Sequence, residues 1–381
     1  MKTWLKLLLL CVPAVIVAVV VEGQDGPINP GSQTVAKPRK PPTDDSATTP
    51  GSTNQPAIPS VYNKKNAETT LEGPSFHVES NVVTVDVAVL DNKGRFIPKI
   101  PKGAFRVMED GVPQKLTNFS LGEAPITLSM VIEFSAKFQQ YYSAGWQQTL
   151  QAAYGFVTML KPVDYVAVVA YDLKSEILSD FSTDRSKTQE ALSRLRIPAF
   201  HEANLFDAVT DTAERMQAIE GRKAVLLIAS GIDTFSKQTF DQCRKRLQEY
   251  GVPIYFFGLL QMQREMADAR GRMSATSSLD FLQADNEMRT FAKETGGMAF
   301  FPRFYGEYGQ IFNDIVQQMR NQYSLGYQPT NSARDGKFRK IKIDLVNPAT
   351  NEPLKVTDEK GKPIKYQIVA KAGYTAPRTV E

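Results

Sequence analysis

The sequence predicts an α/β protein in which a doubly wound, mostly parallel sheet is inserted into a β-sandwich built from strands at both ends of the chain. Three observations carry that prediction. From Ile126 onward, short apolar runs alternate with segments whose apolar residues recur at helical spacing, the pattern of a buried parallel sheet with helices on its faces. Ahead of that region, SNVVTVDVAVLDNKGRFIP sets Val83, Val85, Val87 and Val89 against Val82, Thr84, Asp86 and Ala88, the period-two alternation of a strand. After it, β-like runs return, and the early strands are the covering layer they need.

The elements follow in order. Lys2 and Lys6 precede an apolar run from Leu7 to Val21, the charged-then-apolar order of an export signal, and the run is almost long enough to remain as a membrane anchor. Residues 1–23 are therefore expected to be a signal peptide or an anchor. Residues 24–75 are dense in Pro, Gly, Ser, Thr and Asn, too poor in large apolar side chains to offset the entropy of ordering, and read as a disordered spacer. Residues 76–124 are expected to hold the first sandwich strands, as a hairpin turning at Asp91-Asn92-Lys93-Gly94 and a second running from Phe105–Glu109 through Asp110-Gly111 to Gln114–Ser120. Residues 125–321 hold the parallel sheet, with strands expected at Thr127–Ile132, Tyr165–Tyr171, Lys223–Ala229, Ile254–Gly258 and Met298–Phe301. Helices are expected at Gly145–Leu160, Lys187–Leu195, Leu205–Ile219, Gln238–Tyr250, Asp280–Thr295 and Gly306–Gln322, with a short extra strand at Ser175–Ser179. Residues 322–377 return to β structure with Tyr323–Gln328, Arg339–Asn347 and Lys365–Ala370.

Composition narrows the chemistry. A formal charge of +4 spread over 381 residues, with no concentrated basic face, excludes nucleic acid as an expected partner. Cys11 lies in the N-terminal segment, so once that is removed Cys243 has no partner for a disulfide, and it reads as a passive helix residue. His77 and His201 are the only histidines, too few with one cysteine for a structural zinc site. No GxGxxG or Walker loop supports nucleotide binding.

Four stretches carry a resemblance: LDNKGRFIPKIPKGAFRVMEDGVPQKLTNFS before the parallel sheet, GRKAVLLIASGIDTFS within it, and YSLGYQPTNSARDGKFRKIKI and AKAGYTAP after it. Through them Phe76 to Pro377 resembles the bacterial VWFA-related domain family first named from acidobacteria, and the α/β part resembles a von Willebrand factor A domain. The resemblance implies a Rossmann-like von Willebrand factor A domain inserted in the sandwich. It also implies a metal-ion-dependent adhesion site at the strand ends: DxSxS after the first strand, a Thr in a second loop, and an Asp opening a DG pair after a later strand. Such hard oxygen ligands hold Mg²⁺ or a similar cation and leave a position for a partner's carboxylate.

This sequence departs from that pattern. Glu133 stands at the first Asp, Ser135 matches the first Ser, Lys137 stands at the second Ser, Ala203 at the Thr and Ser230 at the later Asp. Only Ser135 is identical. A divalent ion beside Lys137 would be repelled and would lack two hydroxyls and a carboxylate, so the expectation is a degenerate site with no metal cofactor. Lys137 either extends into solvent or pairs with Glu133 or Asp233. If an ion binds at all, it is Mg²⁺ on Glu133, Ser135 and Asp233.

Loops at the carboxyl ends of a doubly wound sheet gather on one edge, where ligands meet the protein. That face is expected to collect Glu133, Ser135, Lys137, Glu202, Asn204, Ser230 and Asp233. Arg264, Arg270 and Arg272 join it from QMQREMADARGRMSATSS, read as a polar loop with an embedded helical turn. The expected function is a non-catalytic, exported protein-binding or envelope-assembly module, periplasmic, envelope-associated or secreted. Its partner is a protein, and it meets membrane only through the N-terminal segment. Two readings remain beside it: a scaffold that binds through its sandwich, and a secreted serine hydrolase using Ser135 or Ser230 with Lys137 as base. The hydrolase lacks support in IASGID, which is not a GxSxG elbow.

Overall fold

The computed structural model describes residues 82–122, 124–136, 146–195, 200–259, 261–272, 274–357 and 361–378. The expected signal or anchor (1–23), the spacer (24–75) and Lys137 lie outside the described residues. The first strands are β1 (Val83–Asp91), β2 (Phe105–Glu109), β3 (Val112–Gln114) and β4 (Leu116–Gly122). Next come β5 (Ile126–Glu133), α1 (Trp146–Met159), β6 (Tyr165–Tyr171), β7 (Ser175–Ser182), α2 (Arg185–Ser193), α3 (Leu205–Gln217) and β8 (Arg222–Ala229). They are followed by α4 (Phe240–Tyr250), β9 (Ile254–Gly258), α5 (Gln261–Ala269), α6 (Ala275–Thr295), β10 (Ala299–Phe300) and α7 (Tyr308–Arg320). The last strands are β11 (Gln322–Tyr327), β12 (Phe338–Leu345), β13 (Val356–Thr357), β14 (Pro363–Ile364), β15 (Tyr366–Ala370) and β16 (Gly373–Thr375).

The fold is mixed α/β. A six-stranded sheet has the order β10-β9-β8-β5-β6-β7, parallel throughout except for β7, which runs back along β6. β5 and β6 are buried along their whole length, which is why they read as continuous apolar runs. Alternation along β5 sends Leu128, Met130 and Ile132 into one core with Phe156 of α1 and Phe312 of α7, and Val131 into the other with Leu205 of α3 and Phe291 of α6. Local signals set the helix ends. α4 opens on a capping box, in which the Thr239 hydroxyl accepts from the Gln242 N–H while the Gln242 side chain accepts from the Thr239 N–H. It closes on Gly251 at φ 61°, as α6 closes on Gly296 at φ 88°, a left-handed conformation that glycine adopts without penalty.

Two four-stranded sheets, β15-β1-β11-β4 and β16-β12-β2-β3, each mix strands from before and after the α/β part. Val85, Val87, Phe105, Val107, Tyr323 and Ile341 from both sheets belong to one apolar cluster. Two details differ from expectation. The hairpin turning at Asp91-Asn92-Lys93-Gly94 is short, with Asp91 N–H donating to Arg95 O and Ile97 N–H to Val89 O at 2.8 Å around a Leu90–Phe96 bridge, and the long partners of β1 are β11 and β15. Buried along most of its length, β1 needs a strand on either side, and the C-terminal part of the chain supplies both. The run expected from Gln114 to Ser120 breaks at Lys115, so β3 stays on β2 while β4 crosses to the other sheet beside β11.

Candidate functional site

The carboxyl ends of β5, β6 and β8 meet at Glu133, Tyr171 and Ser230. Register sets Ile132 against Ile228, so the next residues of the two strands come together as the strands end. Glu133 is 2% exposed, and its oxygens are divided between two donors: the Ser135 hydroxyl donates to Oε1 at 3.0 Å and the Ser230 N–H to Oε2 at 2.7 Å. Burial pushes the carboxyl above its ordinary range, against the pull of those donors from Ser230 and Ser135. Tyr171 is buried beside it. Burial, followed by the charges of Glu133 and Asp233, holds its hydroxyl well above the usual phenol range.

Around this centre the loops are stitched together by backbone groups. Phe134 N–H donates to Tyr171 O at 2.7 Å, Asn204 N–H to Asp172 O at 2.9 Å, and the Asn204 amide to Leu173 O at 3.1 Å. Ala203 N–H donates to the Thr234 hydroxyl at 2.8 Å, and Thr234 N–H returns a bond to Ala203 O at 2.9 Å. Asn204 precedes α3 without capping it. Asp233 does so from another loop: it accepts from Phe206 N–H at 3.3 Å, and also from the Ser236 N–H and hydroxyl. Asp207, in the first turn of α3, accepts from Lys237 N–H at 2.9 Å and so ties α3 to the same loop. Ser236, whose hydroxyl accepts from Asp207 N–H at 3.2 Å, is a contributor that sequence reading misses, because a cap supplied across 29 residues leaves no local pattern.

Chemically, this donor set does not fit a divalent ion. Both oxygens of Glu133 and both of Asp233 already accept from protein donors, and Ser230 turns an N–H where a ligand oxygen would be needed. Among the described residues, no group of three or more His, Cys, Asp or Glu could hold a metal. Glu133, Ser135, Asn204 and Ser230, expected to collect on this face, are all buried. Their polar groups support the loops that surround them.

The arginine-bearing segment is helical rather than a loop. α5 ends in a tight turn at Arg270–Gly271, and Arg264 ties it to α6. Arg264 is committed there, donating to Asp285 at 2.8 and 2.6 Å with its guanidinium 5.0 Å from the Phe281 ring centre, so it is a strut and not a free contact. Arg270, Arg272 and Glu202 are exposed. Between the Gly231–Thr234 loop and these helices lies a groove of about 650 Å³, lined among others by Asp233, Thr234, Arg272, Asp280, Phe281 and Glu287. Exposed Phe200 and Phe235 flank the same strand ends. Among the described residues, no helix is long and apolar enough to cross a membrane.

No known protein family and no curated protein matches the sequence. Solved structures are similar over part of the chain. Proximal thread matrix protein 1 from the mussel byssus is 12% identical over 54% of this chain and 49% of its own, with a TM-score of 0.39. An aerotolerance-related membrane protein from Bacteroides fragilis is 12% identical over 51% of this chain and 98% of its own, at a TM-score of 0.39. The vWF domain of the type V pili tip protein Mfa5 from Porphyromonas gingivalis is 12% identical over 51% and 95%, at 0.39. The chain thus spans about half the length of the mussel protein.

Proposed function

We propose that this protein is a non-catalytic, exported protein-binding module that meets its partner along the groove at the carboxyl ends of the parallel strands, without a bound metal. In this reading residues 125–321 are a von Willebrand factor A-like domain inserted in a β-sandwich made by residues 76–124 and 322–377, exported through residues 1–23 and held off by the spacer of 24–75. The observation that carries it is the division of labour at the strand ends. Glu133 and Asp233 lock the loops from within, while the groove between the Gly231–Thr234 loop and α6 stays open, with an apolar floor at Phe281 and charged groups at Arg272, Asp280 and Glu287. Burial of Ser135 and Ser230 supports the non-catalytic reading, because a substrate carbonyl has no open approach to either hydroxyl.

The test places a photo-crosslinking residue at Thr234, Arg272 or Asp280 in the full chain, with exposed Glu249 on α4 as the control position, in the cells that make the protein. A discrete adduct from the groove positions, absent from Glu249 and unchanged by EDTA, is expected. Equal labelling from Glu249 would sink the groove, and an adduct that needs a divalent cation would sink the metal-free reading.

A further inference from the structure

A second concave surface lies away from the strand-end groove and shares none of its residues. We propose that the cleft between the end of α6, β10 and the two antiparallel sheets docks an extended, acidic segment of a partner protein. The cleft encloses about 850 Å³, and its walls are runs of consecutive residues: 297–299, 340–343 and 367–372. Consecutive residues on a wall mean that strand edges, and not only one side-chain face, border the space. The pairing agrees. β10 and β15 are the terminal strands of their sheets, and the edge of β12 opposite β2 is open around Ile343, between Ile341, whose N–H donates to Ala372 O at 2.8 Å, and Leu345, whose O accepts from Leu354 N–H at 3.0 Å. Strand edges with free N–H and C=O groups accept a further strand, and the bonds to its backbone supply affinity without regard to sequence.

Charge selects which strand. Arg289 and Lys293 of α6, Lys340 and Lys342 of β12, and Lys371 after β15 all border the cleft. Glu294, the acidic residue on its wall, is neutralised from outside by Arg244, which holds it at 2.7 and 2.6 Å, with Gln248 at 2.8 Å. Of the bordering cations only Lys342 has an ion-pair partner among the described residues, Asp344 at 2.8 Å. Between them sit half-buried Met298, Ala299, Ile368 and Val369, an apolar floor that an alternating strand would cover. A second copy of this chain pairing through the same edges is disfavoured as the occupant, since its β12 carries Lys340 and Lys342 and its β15 is flanked by Lys365 and Lys371, so like charges would face each other. An acidic strand with apolar residues on its other face satisfies the edges, the cations and the floor together.

Fluorescence anisotropy on the full chain would use a labelled short peptide alternating glutamate and valine. Its controls are the same peptide with lysine for glutamate, the same peptide N-methylated at alternate residues, and laurate as competitor. Saturable binding of the glutamate peptide is expected, weakened about tenfold by Lys340→Glu with Lys342→Glu, two exposed positions whose replacement leaves the cores intact. N-methylation should abolish it. Equal binding of the lysine peptide, or no effect of the double variant, would overturn the charge argument. Undiminished binding of the N-methylated peptide would overturn strand addition. Failure of the glutamate peptide to bind, with laurate binding in its place, would assign the cleft to an anionic amphiphile.

Discussion

Glu133 is where the strand-end chemistry can be tested at a single atom. The usual reason to bury a carboxylate is a metal or an arginine; here an N–H and a hydroxyl take that place, and the cost of desolvation is offset only in part. The sign of the pH effect follows. A carboxyl whose folded pKa is raised above its ordinary 4.5 contributes stability that is complete below that value and is lost as pH rises through the folded value. Glu133→Gln keeps an acceptor for Ser230 and a group for Ser135 to meet, but cannot ionise. Urea unfolding from pH 4 to 8 should therefore show wild type losing stability relative to the Gln variant as pH rises; parallel curves would mean Glu133 is not held in a desolvated site. Glu133→Ala should cost about 1–3 kcal/mol at pH 4, because it orphans the buried Ser230 N–H, and less as pH rises.

Among the elements, α5 is held to the body by ion pairs, Arg264 with Asp285 and Glu265 with Arg303, more than by burial. Its sequence, QMQREMADA, offers Met262 and Met266 as its large apolar side chains, too little to hold a helix of nine residues on the body by burial alone. The Arg264–Asp285 fork, with the cation over Phe281, supplies what burial does not. Arg264→Ala should raise hydrogen exchange across Gln261–Ala269 by at least about tenfold, as expected for loss of a charged hydrogen-bonded pair, and leave β5 and β8 protected. Uniform loosening of the whole chain would contradict a local strut. The same feature explains why α5 was read as a loop, since its stabiliser lies 21 residues away and no periodicity reports it. By contrast Tyr165–Tyr171 and Ile254–Gly258 were legible to the residue, because a strand buried on both faces must be apolar throughout and ends where polarity returns. β3 and β4 were read as one strand because nothing at Lys115 marks the change of sheet. The site was legible in its members more than in their roles: Glu133, Ser230 and Asp233 do gather at the strand ends, but their burial, and the part played by Ser236, are set by loops distant in sequence.

Across the whole molecule, the opposite end of the parallel sheet is organised by helix dipoles. α3, α4, α6 and α7 all finish there, each with a partial negative charge at its last carbonyls. Lys223 donates to Gln217 O and, at 2.8 Å, to Ile219 O at the end of α3. Arg222 donates to Gly122 O at 2.6 Å and Gln322 O at 3.1 Å, joining the residues where the chain leaves β4 and enters β11. Lys223 and Lys371 then share a small cavity of about 70 Å³ with Asp86 and Arg222, bordered by the helix-ending Gly251 and Gly296. These cations and Asp86 face the converging helix ends, where positive charge is favoured. Proximity still has a consequence. Burial, and after it the charge of Lys371, lowers the Lys223 ammonium from 10.5 to about 8. A lysine with a depressed folded pKa contributes stability that is present above 10.5 and is lost as pH falls through about 8. Lys371, which burial also lowers while Asp86 raises it, acts in the same direction. Wild type should accordingly gain stability between about pH 8 and 10 relative to Lys223→Met, read as the difference between their urea midpoints so that titrations common to both chains cancel. A difference that stays constant across that window would place Lys223 in solvent and leave the helix ends balanced by Arg222 and Lys371 alone.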